Sequence, residues 1–445
     1  MAMLTTASTV MCERRAIPSR QRSHSNARWP FSDSTGSGRA HRSPLVLSGM
    51  SEKNSLKWGR QMAAIPGPSI IPDRVLAAFS LPMPDLYEGP LVEEQAIVRE
   101  RLPGIAKTEG ECFIITGNGH GGWQMATSNT LAAGDKVLVA EAGRFATIWG
   151  VYTEVSDIEV ELLEGSDRDP VDPAALEARL SEDTAHEIKA VLVAHVDTAS
   201  SVRNDIAALR RAMDAAGHPA LLMVDCIASM GCEEFLMDEW GVDIALAGCQ
   251  KGLMVPPGIS FVWASEKALA AHARADRRVG YFDWEARRDV TNMYSYYAGT
   301  PPISHLRGVL EAMKIIEEEG GIEATWRRHE ILASGVKAAV EAWSTPGGLA
   351  FNIVDSDSRS NCVTTVLTGS VDPTELRSLC EKQAGLILGL GIAGIEGFRL
   401  AHMGHLNPPM ILGAIGTIEA ALHSLGAPMG SSGVAAAAAA IGPHL

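Results

Sequence analysis

The stretches ALLMVD, residues 220–225, and IALAGCQK, residues 244–251, decide the fold. Each begins as an unbroken apolar run and reaches a charged residue, Asp225 in the first and Lys251 in the second. Apolar runs without alternation, separated by helices, indicate a parallel sheet that is covered on both faces. In such a sheet the carboxyl ends of the strands face the ligand crevice. We therefore expect Asp225 and Lys251 to lie at one crevice.

Similar apolar runs on both sides of these stretches predict the rest of a large α/β domain. The predicted strands cover residues 112–116, 136–140, 190–194 and 259–263, and helices are predicted at 123–131 and 205–216. The Pro-Pro-Gly at 256–258 predicts a turn before the last of these strands. Together these segments predict a doubly wound, mostly parallel sheet over residues 62–301.

The pattern changes after about Pro302 and predicts a smaller C-terminal α/β domain over residues 302–428. Two long helical stretches, 303–319 and 322–342, lead into strands at 361–367 and 398–402 and a last helix at 409–425. Residues 429–445 are predicted as a tail, in which the alanine run 435–440 forms a frayed helix.

Composition restricts the partners and the compartment. The chain has 445 residues and a formal net charge of −15, which argues against nucleic acid as a partner. No apolar run approaches the ~18 residues that span a bilayer, so no membrane association is expected. Seven cysteines without the spacing of a metal or redox motif predict free thiols, a cytoplasmic location and no metal site.

The first 61 residues are expected to lie outside the fold as a leader. The first fifty contain seven Arg, nine Ser and no Lys, a composition typical of an organellar transit peptide. A disordered tail, or sequence upstream of a true start at Met50 or Met62, explains the same composition.

The glycine-rich segment GNGHGG, residues 117–122, lies between a predicted strand and a predicted helix. Glycines allow the backbone to approach a ligand closely, and a helix start offers free N–H groups to a phosphate. The segment also matches the dinucleotide motif G-x-G-x-x-G, with Glu141 ending the next strand at about the required distance. Plain turn glycines are the third interpretation.

Asp225 and Lys251 are the pair of residues that pyridoxal phosphate requires. A buried carboxylate needs a compensating cation, such as a protonated pyridine nitrogen, unless Asp225 only caps the following turn. A desolvated lysine is suited to Schiff-base chemistry, whereas most lysines are solvated surface residues. Pyridoxal phosphate uses the phosphate turn, the acid and the amine together, whereas a dinucleotide leaves Lys251 without a role.

Four segments resemble the class V aminotransferases, in particular the alanine, serine and aspartate–glyoxylate branch. They are GNGHGGW (117–123), VDCIASMG (224–231), GCQKGLMVPPG (248–258) and FRLAHMG (398–404). The similarity extends from about Ile65 to about Gly433. It implies a pyridoxal-phosphate enzyme of fold type I.

The resemblance implies a role for individual residues. Lys251 is the catalytic lysine that carries the cofactor, and Asp225 pairs with the pyridine nitrogen. Further cofactor contacts fall on Asn118, Gly119, His120, Phe145, Thr198 and Gln250. Tyr297 and Thr300 are expected to reach the cofactor phosphate of the partner in a homodimer with shared active sites. Arg399 is expected to bind the substrate α-carboxylate. Asn118, Ser201 and Ala401 depart from the residues that are commoner in the family.

The resemblance implies a transaminase that moves the amino group of alanine, serine or aspartate to glyoxylate or a similar 2-oxo acid. Pyridoxamine–pyruvate aminotransferase and a lyase of the same fold, such as a cysteine desulfurase, are alternatives within the fold. From other classes, we consider a nicotinamide-dependent oxidoreductase that uses Glu141 and a binding protein without chemistry.

Overall fold

The strands and helices follow the predicted α/β order. The structure is a computed structural model that describes residues 55–288 and 292–445, all within the unit Ser51–Leu445. Most of the predicted leader, residues 1–54, lies outside the described residues. The strands are β1 (Met62–Ala64), β2 (Glu111–Thr116), β3 (Lys136–Ala140), β4 (Glu159–Leu163), β5 (Ile188–Ala194), β6 (Leu221–Asp225), β7 (Ile244–Gly248), β8 (Ile259–Ala264), β9 (Ala350–Phe351), β10 (Val363–Leu367), β11 (Leu386–Leu390) and β12 (Gly397–Ala401).

Helices connect the strands and cover the sheets. They are α1 (Asp73–Phe79), α2 (Pro90–Ala106), α3 (Gly119–Ser128), α4 (Phe145–Glu154), α5 (Pro173–Glu182), α6 (Ile206–Ala215), α7 (Glu266–His272), α8 (Trp284–Arg288), α9 (Met293–Tyr296), α10 (Ile303–Glu319), α11 (Ile322–Trp343), α12 (Pro373–Ala384), α13 (Pro408–Ser424) and α14 (Gly433–Ile441). Within the described part of the chain, none of these helices is both long and apolar enough to cross a bilayer.

The large sheet has seven strands in the order β2-β8-β7-β6-β5-β3-β4. Neighbouring strands from β4 to β7 are parallel, whereas β8 is antiparallel to both β7 and β2. Only residues 249–258 connect β7 to β8, and this connection is shorter than the dozen or more residues that a parallel crossover needs. The predicted mostly parallel sheet is confirmed.

Both faces of the large sheet are buried, which explains why its strands lack alternation. In β5, Val191 and Val193 pack into one core cluster, while Ala190 and Leu192 pack into the other. Successive side chains of a strand point to opposite faces, so a strand covered on both sides is apolar throughout.

The second sheet has five strands in the order β1-β11-β12-β10-β9 and includes the N-terminal strand β1. Met62 pairs with Leu386 in a parallel ladder, so this strand joins the C-terminal sheet although residues 62–301 were predicted as the large domain. The segment before β1 also contacts the C-terminal part of the chain, because Ser55 Oγ donates a hydrogen bond to the Lys382 carbonyl in α12 at 2.7 Å. A three-residue strand carries no periodic signal, and its partner lies over 300 positions away in sequence.

The alanine run predicted as part of the tail forms helix α14, which packs against α11. Ala437 and Ile441 are buried, and Gly335 of α11 lies so close to Ile441 that a Cβ would clash with it. Glu419 fixes the start of the helix by accepting hydrogen bonds from Ser432 Oγ at 2.8 Å and the Gly433 N–H at 2.6 Å. The C-terminal helix is therefore part of the hydrophobic core that packs against the five-stranded sheet.

We expect Ile441→Ala to lower the free energy of unfolding of the C-terminal domain by about 2–4 kcal/mol, because it opens a cavity between α11 and α14. Urea denaturation followed by tryptophan fluorescence measures the change. Ala439→Ser, at an exposed position of the same helix, is the control and should leave the unfolding midpoint in place. Equal midpoints for the two variants would show that α14 does not support the core.

Candidate functional site

A cavity of about 160 Å³ lies at the carboxyl ends of the strands of the large sheet, and it contains most of the predicted site residues. Its lining is Asn118, Gly119, His120, Phe145, Val196, Thr198, Asp225, Ile227, Ala228, Gln250 and Lys251. The strand ends thus converge as the sequence predicted. Val196, Ile227 and Ala228 complete the wall and were not predicted.

Asp225 is buried at the end of β6, and within the described part of the chain it receives hydrogen bonds only from neutral donors. Trp123 Nε1 donates to Oδ2 at 2.8 Å, and the Ile227 N–H donates to Oδ1 at 2.7 Å. Burial raises the pKa of Asp225 to about 7, although these bonds and the charge of Lys251 lower it. The carboxylate lacks a cation in direct contact among the described residues, so a cationic group in the cavity would stabilise it.

Lys251 follows β7 and is in contact with the N-terminal segment of residues 65–69. Its Nζ donates to the Pro66 carbonyl oxygen, and its own carbonyl accepts a bond from Ser69 Oγ at 2.7 Å. Gly67 has φ +92°, and a Cβ there would lie 2.5 Å from Lys251 Cε. Burial lowers the pKa of Lys251 to about 8, which brings the amine near the neutral form that acts as a nucleophile. Sequence reasoning missed this contact because residues 65–69 lie far from Lys251 in the chain.

The glycine-rich segment forms the start of helix α3. Asn118 caps this helix, since its side-chain oxygen accepts from the His120 N–H at 3.1 Å and the Gly121 N–H at 3.3 Å. The oxygen is thereby used inside the turn, and the side-chain NH₂ is left to donate to a ligand. A Cβ at Gly119 would lie 2.1 Å from Ile227 Cδ1, so a larger residue there would have to displace the Ile227 side chain at the cavity wall. This geometry is that of an anion site at a helix N-terminus.

Asp197 connects the two segments that carry Phe145 and Thr198 to the cavity, and sequence reasoning missed it. Its buried carboxylate accepts from the N–H groups of Arg144 and Phe145, both at the start of α4, at 2.8 and 2.6 Å. It also accepts from the N–H groups of Ala199 and Ser200 at 2.8 and 3.0 Å. Burial raises the pKa of Asp197, and these four hydrogen bonds lower it. The residue therefore joins the loop that carries Thr198 to the helix that begins at Phe145.

Arg399, on β12 of the second sheet, reaches the same loop. Its Nη1 donates to the Thr198 carbonyl at 2.8 Å and its Nε to the Leu390 carbonyl at 2.8 Å. Burial lowers the pKa of Arg399 to about 10, at which the side chain is still charged at neutral pH. Among the described residues, none accepts a hydrogen bond from Nη2, so this group is available to an anion.

Tyr297 and Thr300 do not line the cavity of their own chain. Tyr297 is buried and its hydroxyl has no hydrogen-bond partner among the described residues, whereas Thr300 is exposed. The assignment of these residues to a partner's site stays a prediction. Glu141, the acid of the dinucleotide alternative, does not line the cavity and accepts from the Gly165 N–H at 3.2 Å.

Comparison with known proteins identifies the family. The profile of the family described as Aminotransferase class-V matches residues 105–396. The chain is 40% identical to a serine–glyoxylate aminotransferase of Methylorubrum extorquens, over 85% of this chain and 95% of that protein. It is 38% identical to an L-aspartate–glyoxylate aminotransferase of Paracoccus denitrificans, over 84% of this chain and 94% of that protein.

Solved structures share the fold at lower identity. The structure of a ureidoglycine–glyoxylate aminotransferase from Bacillus subtilis matches with a TM-score of 0.78 at 23% identity, covering 86% of this chain and 98% of that one. A pyridoxamine–pyruvate aminotransferase from Mesorhizobium loti matches with the same TM-score and identity, covering 86% and 97%. Profile, relatives and fold agree with the sequence resemblance, and the chain belongs to the class V aminotransferase family.

Proposed function

We propose that this protein transfers the amino group of a small amino acid, serine, aspartate or alanine, to glyoxylate. The observation that carries the proposal is the single cavity lined by Asp225, Lys251 and the N-terminus of α3. The relatives support the acceptor, because those from M. extorquens and P. denitrificans are both named as glyoxylate aminotransferases.

The cavity fits pyridoxal phosphate, the cofactor that membership of the family implies. A buried carboxylate that has only neutral donors suits a protonated pyridine nitrogen. Asn118, Gly119 and His120, at the start of α3, would hold the phosphate, and Gln250 would add a side-chain donor. Phe145 would cover the ring, and Thr198 would lie near the phenolic oxygen. When bound, the cofactor supplies an aldehyde that accepts the amino group and a ring that withdraws electrons from the substrate α-carbon.

Lys251 acts as the base and acid of the reaction. Its Nζ has a pKa lowered by burial to about 8, so it exchanges a proton readily near neutral pH. We assign to it the removal of the proton from the substrate α-carbon and its return to the carbon that the cofactor aldehyde would supply. Arg399 would hold the substrate carboxylate, for which its planar fork is suited.

The alternatives have weaker support. Three relatives with 35–40% identity over 84–87% of this chain are named as serine– or L-aspartate–glyoxylate aminotransferases. The likeness to a pyridoxamine–pyruvate aminotransferase, at 23% identity, concerns the fold alone. A desulfurase-type lyase would need an accessible cysteine, yet among the described cysteines all except Cys112 are buried. The nicotinamide alternative gives no role to Lys251.

We also propose a homodimer with shared active sites in the cytoplasm. The exposed Thr300, which does not line the cavity of its own chain, supports a contact with the partner's cofactor phosphate. The family resemblance assigns Tyr297 to that phosphate as well, although its hydroxyl is buried and has no hydrogen-bond partner among the described residues.

We expect the purified protein to show a visible absorbance band with pyridoxal phosphate that one amino donor bleaches and glyoxylate restores. The matching donor among serine, aspartate and alanine is identified by titration in a spectrophotometer. Lys251→Ala should abolish turnover, because the proton at the α-carbon then has no acceptor, whereas Lys189→Ala is the control at a distant lysine. Full turnover by Lys251→Ala would refute this mechanism.

The rate at which the apoenzyme combines with pyridoxal phosphate should rise with pH through about 8. Only the neutral Lys251 amine attacks an aldehyde, and the fraction in this form increases as pH passes its pKa. Asp225→Asn should move the midpoint to lower pH, because the carboxylate charge raises the pKa of Lys251 and its loss lowers it. Stopped-flow absorbance measures both profiles. A midpoint that stays in place in Asp225→Asn would exclude this coupling.

Mixed dimers test the shared site. Thr300→Glu should place a negative charge against the partner's cofactor phosphate and inactivate the homodimer, whereas Thr300→Ser should remain active. In hybrids of Thr300→Glu and Lys251→Ala chains, one site combines native Lys251 with native Thr300. We therefore expect turnover to return to about a quarter of the wild-type level in an equimolar random mixture, since half of the dimers are hybrids with one intact site. No recovery would place Thr300 at the site of its own chain, and a monomeric mass would contradict the dimer.

A further inference from the structure

The loop of residues 197–203 is the place where the large domain meets the strand of Arg399, and its backbone is strained at Ser201. Ser201 has φ +70°, in the left-handed region that residues with a Cβ seldom adopt. The Ser201 N–H donates to the Asp197 carbonyl at 2.7 Å, which closes the loop on itself. Such a conformation persists only when its surroundings over-determine it, and it is found preferentially at functional sites.

The hydroxyl of Ser201 forms a hydrogen bond with Thr365 of β10. The two hydroxyl oxygens lie 2.5 Å apart, and both residues are buried. Thr365 Oγ1 also donates to the Ala199 carbonyl at 3.1 Å. A hydroxyl has one proton to donate, so Ser201 is the donor to Thr365. The two hydroxyls thus connect the loop of the large domain to the second sheet in a fixed order.

Thr365 is the register partner of Arg399. The two residues lie directly opposite each other on the antiparallel strands β10 and β12. Side chains at paired positions lie on the same face of the sheet, as immediate neighbours. Arg399 is bound to the same loop by its bond to the Thr198 carbonyl. Loop, Thr365 and Arg399 therefore form a closed ring of contacts: Ser201 to Thr365, Thr365 beside Arg399, and Arg399 back to Thr198.

A glycine at position 201 would adopt this φ without strain, but it could not make the bond to Thr365. The serine therefore tolerates an unfavourable backbone angle and gains a hydroxyl that reaches the other domain. Removing that hydroxyl leaves a buried threonine oxygen with one partner fewer. The bond of the Ser201 N–H to the Asp197 carbonyl does not involve the side chain, so loss of the hydroxyl acts on the strand that presents Arg399.

We propose that Ser201 and Thr365 form a clasp that positions Arg399 for the carboxylate of the amino-acid substrate. Both are positioning residues, since they act through Arg399 and do not line the cofactor cavity. The proposal rests on the proposed function, in which Arg399 binds the substrate carboxylate. It predicts an effect on the binding of carboxylate substrates and little effect on cofactor binding.

The test compares Ser201→Ala, Ser201→Gly, Thr365→Val and Thr365→Ser. Each holoenzyme is assayed with the fastest donor among L-serine, L-alanine and L-aspartate, and bleaching of the cofactor band is measured with the α-carboxamide of that donor. Ser201→Ala removes one buried hydrogen bond and should raise the KM of the donor by about 3- to 10-fold, with kcat less affected. Thr365→Val also removes the bond to the Ala199 carbonyl and should raise KM at least as much. Reaction of the carboxamide, which lacks the carboxylate, should be unchanged.

The remaining variants separate the hydroxyl from the backbone. Ser201→Gly relieves the strain yet should raise KM as Ser201→Ala does, whereas Thr365→Ser keeps a hydroxyl and should stay near wild type. Ser334→Ala, which removes a half-buried hydroxyl bonded to the Ile331 carbonyl within α11, is the matched control and should not change KM. In an Arg399→Ala background, Ser201→Ala should have no additional effect.

The outcomes distinguish the two proposals. If Arg399→Ala raises KM and the Ser201 and Thr365 variants do not, the clasp is refuted and the function of Arg399 stands. An equal effect of these variants on donor and carboxamide also refutes the clasp, because it indicates a general structural role. If Arg399→Ala leaves the KM of the donor unchanged, the carboxylate site itself is wrong and the clasp fails with it.

Discussion

A buried carboxylate that has no cation in contact with it among the residues the structure describes is the constraint on which the site depends. Asp225 ends a strand in the middle of the large sheet, where both faces are covered, and its side chain is buried. Its bonds from Trp123 and Ile227 satisfy its oxygens but do not neutralise its charge. A buried ionised carboxylate is stabilised by a compensating charge or by several hydrogen bonds, and Asp225 accepts only two bonds among the described residues, so a cationic group in the cavity would stabilise it. The placement of Lys251 across the same cavity then gives the site an amine whose pKa is lowered by the same burial.

A second carboxylate has the opposite task. Asp197 is also buried, but its oxygens are occupied by backbone N–H groups from two segments. It holds Phe145 and Thr198 in a fixed relation, whereas Asp225 leaves its charge to a ligand. Environment rather than residue type thus separates a structural acid from a functional one. The sequence contains both within short polar segments after apolar strands, and nothing in the residue type distinguishes them.

The sequence predicted the features that depend on local pattern and on strand ends. Unalternated apolar runs identified six strands of the large sheet, and their carboxyl ends located Asp225 and Lys251, because parallel strands bring these ends together. Pattern could not locate β1 or the contact of Lys251 with Pro66, since both depend on pairing between distant segments. Pattern also gave no sign of Asp197. The role of this residue is to bind backbone N–H groups, and every residue except proline has such a group, so no side chain in the sequence marks the partners. Helix α14 was predicted as a frayed helix because an alanine run indicates helix propensity but not whether the helix packs against the protein. The structure shows that Ile441 is buried and packs the helix against α11.

The position of Arg399 shows how the second sheet contributes to the site of the large sheet. Its guanidinium binds two backbone carbonyls, one from the loop of the large domain and one from the neighbouring strand. A substrate carboxylate therefore finds a charged group whose orientation is already fixed, so little side-chain entropy is lost on binding. Since the pKa of Arg399 is lowered by burial only to about 10, the fork stays cationic throughout the range in which Lys251 exchanges its proton. Substrate binding and proton transfer thus depend on two buried basic groups, and Arg399 stays charged both below and above the pKa of Lys251.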